Sequence, residues 1–345
     1  MRILRLYLKA LCESSGDGDS VRVISLNDGN VNAGDLAAYS DRRLVEWKGC
    51  ARGKANFCWA ALRMGLACDR IVCGHIGQLP IAWIISRLRP GLPYFLVAHG
   101  IEVWRPFSPL EQRALRGARR ILCVSDYTRR QMLSHCDLGE DRTVVVPNAL
   151  DPTLEPPRPG KPDDATHLIL SISRLTTADN YKGIEHLVAA MPAIRAAVPG
   201  ARLRVIGRGD GLPALVAQAR SLGLEGAVDF AGFIDDAGLG VEFERCRLFA
   251  LPSQKEGFGL VYLEAMAHGR PCLGARSGGV PEVITEATGV LVGYGDVPGI
   301  AAGAISALKR DWSLDALLER ARSFSYPRLK AQLESVLSAP EAVRK

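Results

Sequence analysis

The chain has 345 residues, room for two average domains, and at 48% hydrophobic and 23% charged it has the composition of an ordinary soluble globular protein. No run approaches the ~18 apolar residues a membrane span needs, and nine cysteines, odd in number and without a C-x-x-C pair, argue against a disulfide framework or zinc site and for a reducing cytoplasm. The net charge of +6 sits in the first half: residues 1–150 carry 21 Lys/Arg against 14 Asp/Glu and residues 151–345 carry 22 against 23, but without a motif or aromatic interleaving this does not make a nucleic-acid binder.

Ile3, Leu4, Tyr7, Leu8 and Leu11 recur at helical spacing, so Met1 to about Glu13 reads as an amphipathic helix. Arg2, Arg5 and Lys9 interrupt it too often for a secretory signal. The loop Ser14–Ser20 holds a D-x-D triplet, Asp17-Gly-Asp19, which Ser/Gly/Asp turn chemistry explains without a metal. Strand Val21–Leu26 follows, then a helix around Asn56–Met64, strand Arg70–Cys73 ending at His75, and helix Leu79–Arg87. Strand Tyr94–Ala98 runs into His99-Gly100; helix Ser108–Gly117, strand Arg120–Val124, helix Asp126–His135 and strand Thr143–Val146 complete the first half. Short apolar strands alternating with helices predict a parallel sheet with crossovers, a Rossmann-like domain over 1–150. In open sheets of this kind ligands sit beyond the carboxyl ends of the strands. Those ends carry His75, His99 to Glu102, Ser125 and Asn148.

Six prolines between Pro147 and Pro162 form a stiff linker. Alternation then resumes with strand Leu168–Ser173, helix Gly183–Val198, strand Arg202–Ile206, helix Leu212–Leu222, strand Val228–Phe230 and a helix near Gly238–Arg245. Strands near Pro271–Gly274 and at Gly289–Val292 close a second Rossmann-like domain over 163–322, and residues 323–345 supply a last helix from Phe324 to Leu337.

The stretch Pro252 to Pro271 carries the chemistry. An apolar run, Arg247–Leu251, precedes it; Leu260 to His268 are helix formers, and Gly269 with Pro271 make a stop. The unit reads strand, Gly257-Phe258-Gly259 loop, helix. The free N–H groups of Leu260 and Val261 at the helix start suit a phosphate. Glu256 and Glu264 bracket this cradle; carboxylates repel phosphate and accept hydrogen bonds from hydroxyls. An anion cradle between two hydroxyl-binding carboxylates describes a nucleotide-sugar site.

The string Glu256-Gly-Phe-Gly-Leu-Val-Tyr-Leu-Glu264 resembles the E-x7-E motif of retaining GT-B glycosyltransferases, and its surroundings resemble family 4. Further matches follow the family's order. Ser173-Arg174-Leu175 with Lys182-Gly183 is similar to its phosphate-binding pair, Phe230-Ala-Gly-Phe233 to its base-reading loop, and Ser277-Gly-Gly-Val-Pro-Glu282 to its Gly-Gly-x-Pro-Glu stretch. His99-Gly100 fits the strand-end His beside the donor sugar, and Pro147-Asn148 the Pro-Asn-Gly motif with Ala149 in place of Gly.

The resemblance implies an α/β protein of GT-B type, two Rossmann-like parallel-sheet domains facing each other across a cleft, with the C-terminal helix crossing back to the first. It implies retaining transfer of a sugar from a UDP- or GDP-sugar to an acceptor hydroxyl, on a lipid-linked glycan or surface polysaccharide precursor, with no metal and no cofactor beyond that co-substrate. Arg174 and Lys182 would neutralise the leaving diphosphate. Glu256 would hold the sugar's hydroxyls and Glu264 the ribose, while His99 would shape the sugar pocket. Gly207, Gly232, Phe233, Gly257, Phe258, Gly259, Leu260, Val261, Gly278 and Gly279 would line the nucleotide-sugar, and Ser125 and Asn148 the acceptor side. The basic half could face an anionic membrane surface, placing the protein peripherally at the inner membrane face. The rival is a GT-B protein that binds nucleotide without turnover.

Family members open with a strand and a Gly-Gly loop before the first helix, whereas this chain begins in the helix. The first strand of such a sheet lies in its middle. The expectation is therefore that about 15–25 residues upstream of Met1 supply it; the alternative is that Met1-Arg-Ile-Leu4 serves as a stub strand.

Overall fold

The computed structural model describes residues 2–16, 18–29, 33–154 and 167–338. Asp17 of the acidic triplet, Met1 and the linker prolines beyond residue 154 lie outside them. Asp19 is in a turn, accepting the Gly16 amide at 2.8 Å. The chain divides into two compact units, one up to Thr153 and again from Tyr326, the other from Leu154 to Ser325.

The first unit contains α1 (Arg2–Ser14), β1 (Val21–Ser25), α2 (Ala33–Leu36), β2 (Leu44–Gly49), α3 (Lys54–Gly65), β3 (Ile71–Cys73) and α4 (Leu79–Leu88). It continues with β4 (Tyr94–Ala98), α5 (Pro109–Gly117), β5 (Arg120–Cys123), α6 (Asp126–Leu133) and β6 (Thr143–Val145). Residues 2–4 are the first turn of α1, so they form no stub strand. All strand pairs are parallel, but they make two sheets: β1-β2, and β3-β4-β5-β6. Every residue of β4 is buried, as expected of a parallel strand covered on both faces. Helices α4 and α5 cover this sheet, and the Tyr94 hydroxyl donates to the Ala114 carbonyl at 2.7 Å. Ser108 and Glu111 close a capping box at the start of α5.

The second unit comprises β7 (Leu168–Ile172), α7 (Ile184–Ala197), β8 (Arg202–Ile206), α8 (Leu212–Ser221), β9 (Val228–Gly232) and α9 (Asp236–Arg245). Then come β10 (Leu248–Leu251), α10 (Leu260–Ala267), β11 (Cys272–Ala275), β12 (Gly289–Val292), α11 (Val297–Lys309) and α12 (Leu314–Arg322). Its sheet is parallel, in the order β12-β11-β10-β7-β8-β9. The chain steps outward from β7 through β8 to β9, then returns to the other side of β7 at β10. The switch in direction falls between β7 and β10, and the loops after these two strands lie side by side.

The last helix, α13 (Tyr326–Ser338), belongs to the first unit and packs on α1. Tyr326 donates its hydroxyl to Glu13 at 2.9 Å, Lys330 pairs with Glu13 at 3.4 Å, and Ser14 donates to Glu334 at 2.6 Å. The return of the C-terminal helix to the first unit agrees with the sequence reading. Among the described residues no helix is long and apolar enough to cross a membrane.

Candidate active site

Three loops of the second unit converge beyond the carboxyl ends of β7, β10 and β11. The loop after β10 is held from below by Tyr262 of α10, whose buried ring packs edge-on to Phe249 and whose hydroxyl donates to the Leu251 carbonyl at 2.5 Å. Gly259 enters α10 with φ of +100°, and a Cβ there would lie 2.6 Å from the Tyr262 ring. Among the described residues no side chain caps the helix, and orphan amides at a helix start suit an anion.

The loop after β11 closes over the same place. The Gly279 amide donates to the Glu256 carbonyl at 2.8 Å, and Ser277 donates to the Gln254 carbonyl at 2.6 Å. At Gly278, with φ of +61°, a Cβ would stand 2.4 Å from that Glu256 carbonyl oxygen. The Gly-Gly pair is therefore a backbone-to-backbone contact between loops. From the other side, the Gln254 amide donates to the Tyr181 carbonyl at 2.8 Å, joining the loop after β7.

That junction brings Lys182 and Glu256 together. Lys182 Nζ lies 2.8 Å from Glu256 Oε2, with the two side chains 17% and 19% exposed. The sequence assigned these residues to phosphate and sugar separately; the structure makes them one ion pair at the switch point. Lys182 also lies over the Tyr181 ring, 5.5 Å from its centroid. Arg174, in contrast, is 73% exposed and reaches Asp179 at 3.1 Å. Asp179 also accepts from the Tyr181 hydroxyl at 2.6 Å and the Thr176 hydroxyl at 2.8 Å. Burial pushes the Asp179 carboxyl up, but these two hydroxyls and the charges of Arg174 and Lys182 outweigh it and hold it below the usual range. The stretch Thr176 to Tyr181 is thus an ordered turn carrying its own carboxylate. Sequence reading gave Asp179 and Tyr181 no role; an acid flanked by Thr and Tyr was the available signal.

Further along the sheet edge, the Gly207 amide donates to the Gly232 carbonyl at 2.8 Å, setting the ends of β8 and β9 side by side. Phe233 follows, 65% exposed, with the Arg208 guanidinium 5.2 Å from its ring centroid. Asp210 accepts the amide and hydroxyl of Thr177 at 2.8 and 2.9 Å, tying this corner to the loop after β7. Glu264 lies half-buried one turn into α10. Phe258 does not face this surface: it is 3% exposed and packs edge-on to Phe324, so its side chain anchors the loop.

The remaining sequence-selected residues belong to the first unit, at the ends of the adjacent strands β4, β5 and β6. His99 is held by its own amide, which donates to Glu102 Oε1 at 2.5 Å. Burial lowers the imidazole below its ordinary value against the pull of the Glu102 charge, which favours the neutral ring. Ser125 is fully buried and caps α6, accepting the Thr128 amide at 3.1 Å, so its hydroxyl is a structural group. Asn148 is buried, with its Oδ1 unpartnered among the described residues. Ala149 keeps an ordinary negative φ, so no glycine is needed after Asn148. Among the described residues no group of three or more His, Cys, Asp or Glu is placed to hold a metal ion.

Two family models match the chain: Glycosyltransferase Family 4 over residues 11–154 and Glycosyl transferases group 1 over residues 166–311. The GDP-mannose-dependent alpha-(1-6)-phosphatidylinositol monomannoside mannosyltransferase of Mycolicibacterium smegmatis is 30% identical over 279 residues, 71% of this chain and 70% of that protein. The N-acetyl-alpha-D-glucosaminyl L-malate synthase of Bacillus anthracis is 36% identical over 163 residues, 47% of this chain and 42% of that protein. Among solved structures, Alr3699/HepE of Anabaena in complex with UDP and glucose superposes with a TM-score of 0.76 at 20% identity, covering 97% of this chain and 95% of that one. The two parallel-sheet units, the returning C-terminal helix and these matches agree: the chain belongs to glycosyltransferase family 4 and has the GT-B fold.

Proposed function

We propose that the chain is a retaining glycosyltransferase that moves a sugar from a UDP- or GDP-sugar to a hydroxyl of a glycan or lipid-linked glycan. The observation that carries this reading is the Lys182–Glu256 pair beside the uncapped start of α10. A nucleotide-sugar answers both halves of it: the diphosphate faces Lys182 and the α10 amides, and the sugar's hydroxyls donate to Glu256. Arg174 sits on the same loop as Lys182, its guanidinium oriented by Asp179. Glu264 receives the ribose hydroxyls. The exposed Phe233–Arg208 pair offers a flat, cationic edge for the base.

In the reaction the bond from the anomeric carbon to the diphosphate oxygen breaks, and the acceptor oxygen bonds to that carbon on the same face. The acceptor's proton passes to the leaving diphosphate. Lys182, Arg174 and the helix start stabilise the charge that develops there, so no metal is required for that task. The basic first half places the enzyme against an anionic membrane surface, where a lipid-linked acceptor would reside. A thermal-shift screen of UDP-glucose, UDP-N-acetylglucosamine and GDP-mannose tests the donor assignment. One of them should raise the melting temperature, and Glu256→Gln should remove the shift; a flat response to all three would contradict it.

A further inference from the structure

At the end of α12 stands a pair of side chains that the proposed chemistry does not use. Arg320 and Phe324 are four residues apart, and the chain keeps a helical course between them, the Ser323 amide donating to the Glu319 carbonyl at 2.9 Å. That spacing puts both on one face, with the Arg320 guanidinium carbon 4.8 Å from the centroid of the Phe324 ring. From there the pair reaches the loops after both β10 and β11. Arg320 Nε donates to the Val283 carbonyl at 2.9 Å and Nη2 to the Glu282 carbonyl, at the end of the single helical turn that follows Gly278-Gly279. Phe324 packs edge-on against Phe258 of the Gly-Phe-Gly loop, the ring centroids 5.3 Å apart and the planes at 73°.

Packing alone does not call for a guanidinium here. Arg320 is half-buried, and among the described residues its hydrogen bonds go to backbone carbonyls and none to a carboxylate. A Met or Leu would cover Phe324 as well. What arginine adds is a rigid fork of charged donors, and the fork fixes where the turn after Gly278-Gly279 ends. The two loops themselves meet backbone to backbone. Besides the bond from the Gly279 amide to the Glu256 carbonyl, a Cβ on Gly279 would lie 2.4 Å from the Gly257 carbonyl oxygen. No side chain interlocks at that contact, so its register depends on what braces each loop from outside. The register matters, because a misplacement of about 1 Å costs on the order of a hundredfold in rate.

We propose that Arg320 and Phe324 are positioning residues for donor binding: together they clamp the loops after β10 and β11 into one unit, and donor affinity depends on that clamp. The inference rests on the reading of these loops as a nucleotide-sugar site. Each residue acts through another, Arg320 through the carbonyls of Glu282 and Val283 and Phe324 through the Phe258 ring. Because the two side chains stack on each other, loss of either should release both loops.

The test compares wild type with Arg320→Met, which keeps an apolar stem over Phe324 and removes the donors, and with the milder Arg320→Lys and Phe324→Leu. Each is read by hydrogen exchange without ligand and by calorimetry with UDP-glucose, UDP-N-acetylglucosamine and GDP-mannose. In Arg320→Met, exchange should quicken by roughly tenfold or more in both loops while α7 and β8 stay as in wild type. The donor's dissociation constant should rise by roughly tenfold or more, with the KM for acceptor within about twofold. Arg320→Lys should recover part of the loss, and Phe324→Leu should quicken both loops although it touches only one. These two variants carry the comparison if Arg320→Met does not fold. A lower melting temperature with loop exchange and donor affinity unchanged would make the pair merely structural and overturn the proposal. Loosening confined to the loop each side chain touches would overturn it equally. A wild-type protein that binds none of the three donors would instead overturn the nucleotide-sugar reading, and the donor role of the clamp with it.

Discussion

Replacing Lys182 by Met and Glu256 by Gln, singly and together, probes the ion pair on which the proposed chemistry depends. At a nitrogen–oxygen distance of 2.8 Å, with charge centres about 4 Å apart, the gross attraction is about 4 kcal/mol at an effective dielectric of 20. Taking two mostly buried groups out of water cancels much of that, leaving a net coupling of about 1–2 kcal/mol. In urea unfolding the double variant should therefore lose less stability than the sum of the singles by that amount. Activity should respond more strongly. Removing one fixed cation from a developing diphosphate costs about 2.7–4 kcal/mol of transition-state stabilisation, a hundredfold to a thousandfold in turnover. Lys182→Arg should recover part of this, since the charge returns with a different shape. Additive stabilities within about 0.3–0.5 kcal/mol, together with turnover in both single variants within threefold of wild type, would refute the reasoning.

Glu264→Gln should weaken donor binding by the loss of a charge-assisted hydrogen bond of about 1.5–3 kcal/mol; calorimetry showing unchanged affinity would remove Glu264 from the site. Activity should survive excess EDTA, and a collapse restored by manganese would return Asp17-Gly-Asp19 to consideration and sink the metal-free reading. Acid stability should depend on Glu111, whose carboxyl is held at about 2 by the Arg105 guanidinium and by Ser108, against an opposing contribution from burial. Its folded-state pKa is depressed, so the stabilisation is full above about 4.5 and is lost as pH falls towards about 2. Glu111→Gln should flatten that limb in denaturation measured against pH, and an unaltered profile would contradict the assignment. The protein should pellet with anionic vesicles and be released by salt, whereas equal binding to neutral vesicles would speak against the membrane reading.

The alternation of strands and helices was legible because buried parallel strands are continuous apolar runs: Tyr94–Ala98 and Leu248–Leu251 have no charged residue to obscure them. The strand Leu44–Gly49 escaped because it mixes Glu46 and Lys48 with Trp47 and is only partly buried, so its pattern belongs to no clear period. At the site, local chemistry could be read and long-range partnership could not. The Gly-Phe-Gly loop announces a helix start, yet nothing in sequence links Lys182 to Glu256, 74 residues away. Phe258 has the place of a ligand-facing residue, but its direction is set by Phe324. Ser125 stands at a strand end where acceptors would approach, and the next turn of chain takes its hydroxyl as a cap.

The most direct test of the proposed function is acceptor-dependent nucleotide release with the donor selected by thermal shift, followed by NMR of the first-formed product. Wild-type protein should release UDP or GDP faster with acceptor present and give a glycoside with the donor's own anomeric configuration, while Glu256→Gln does neither. Donor binding without any release, or a product of inverted configuration, would contradict the account.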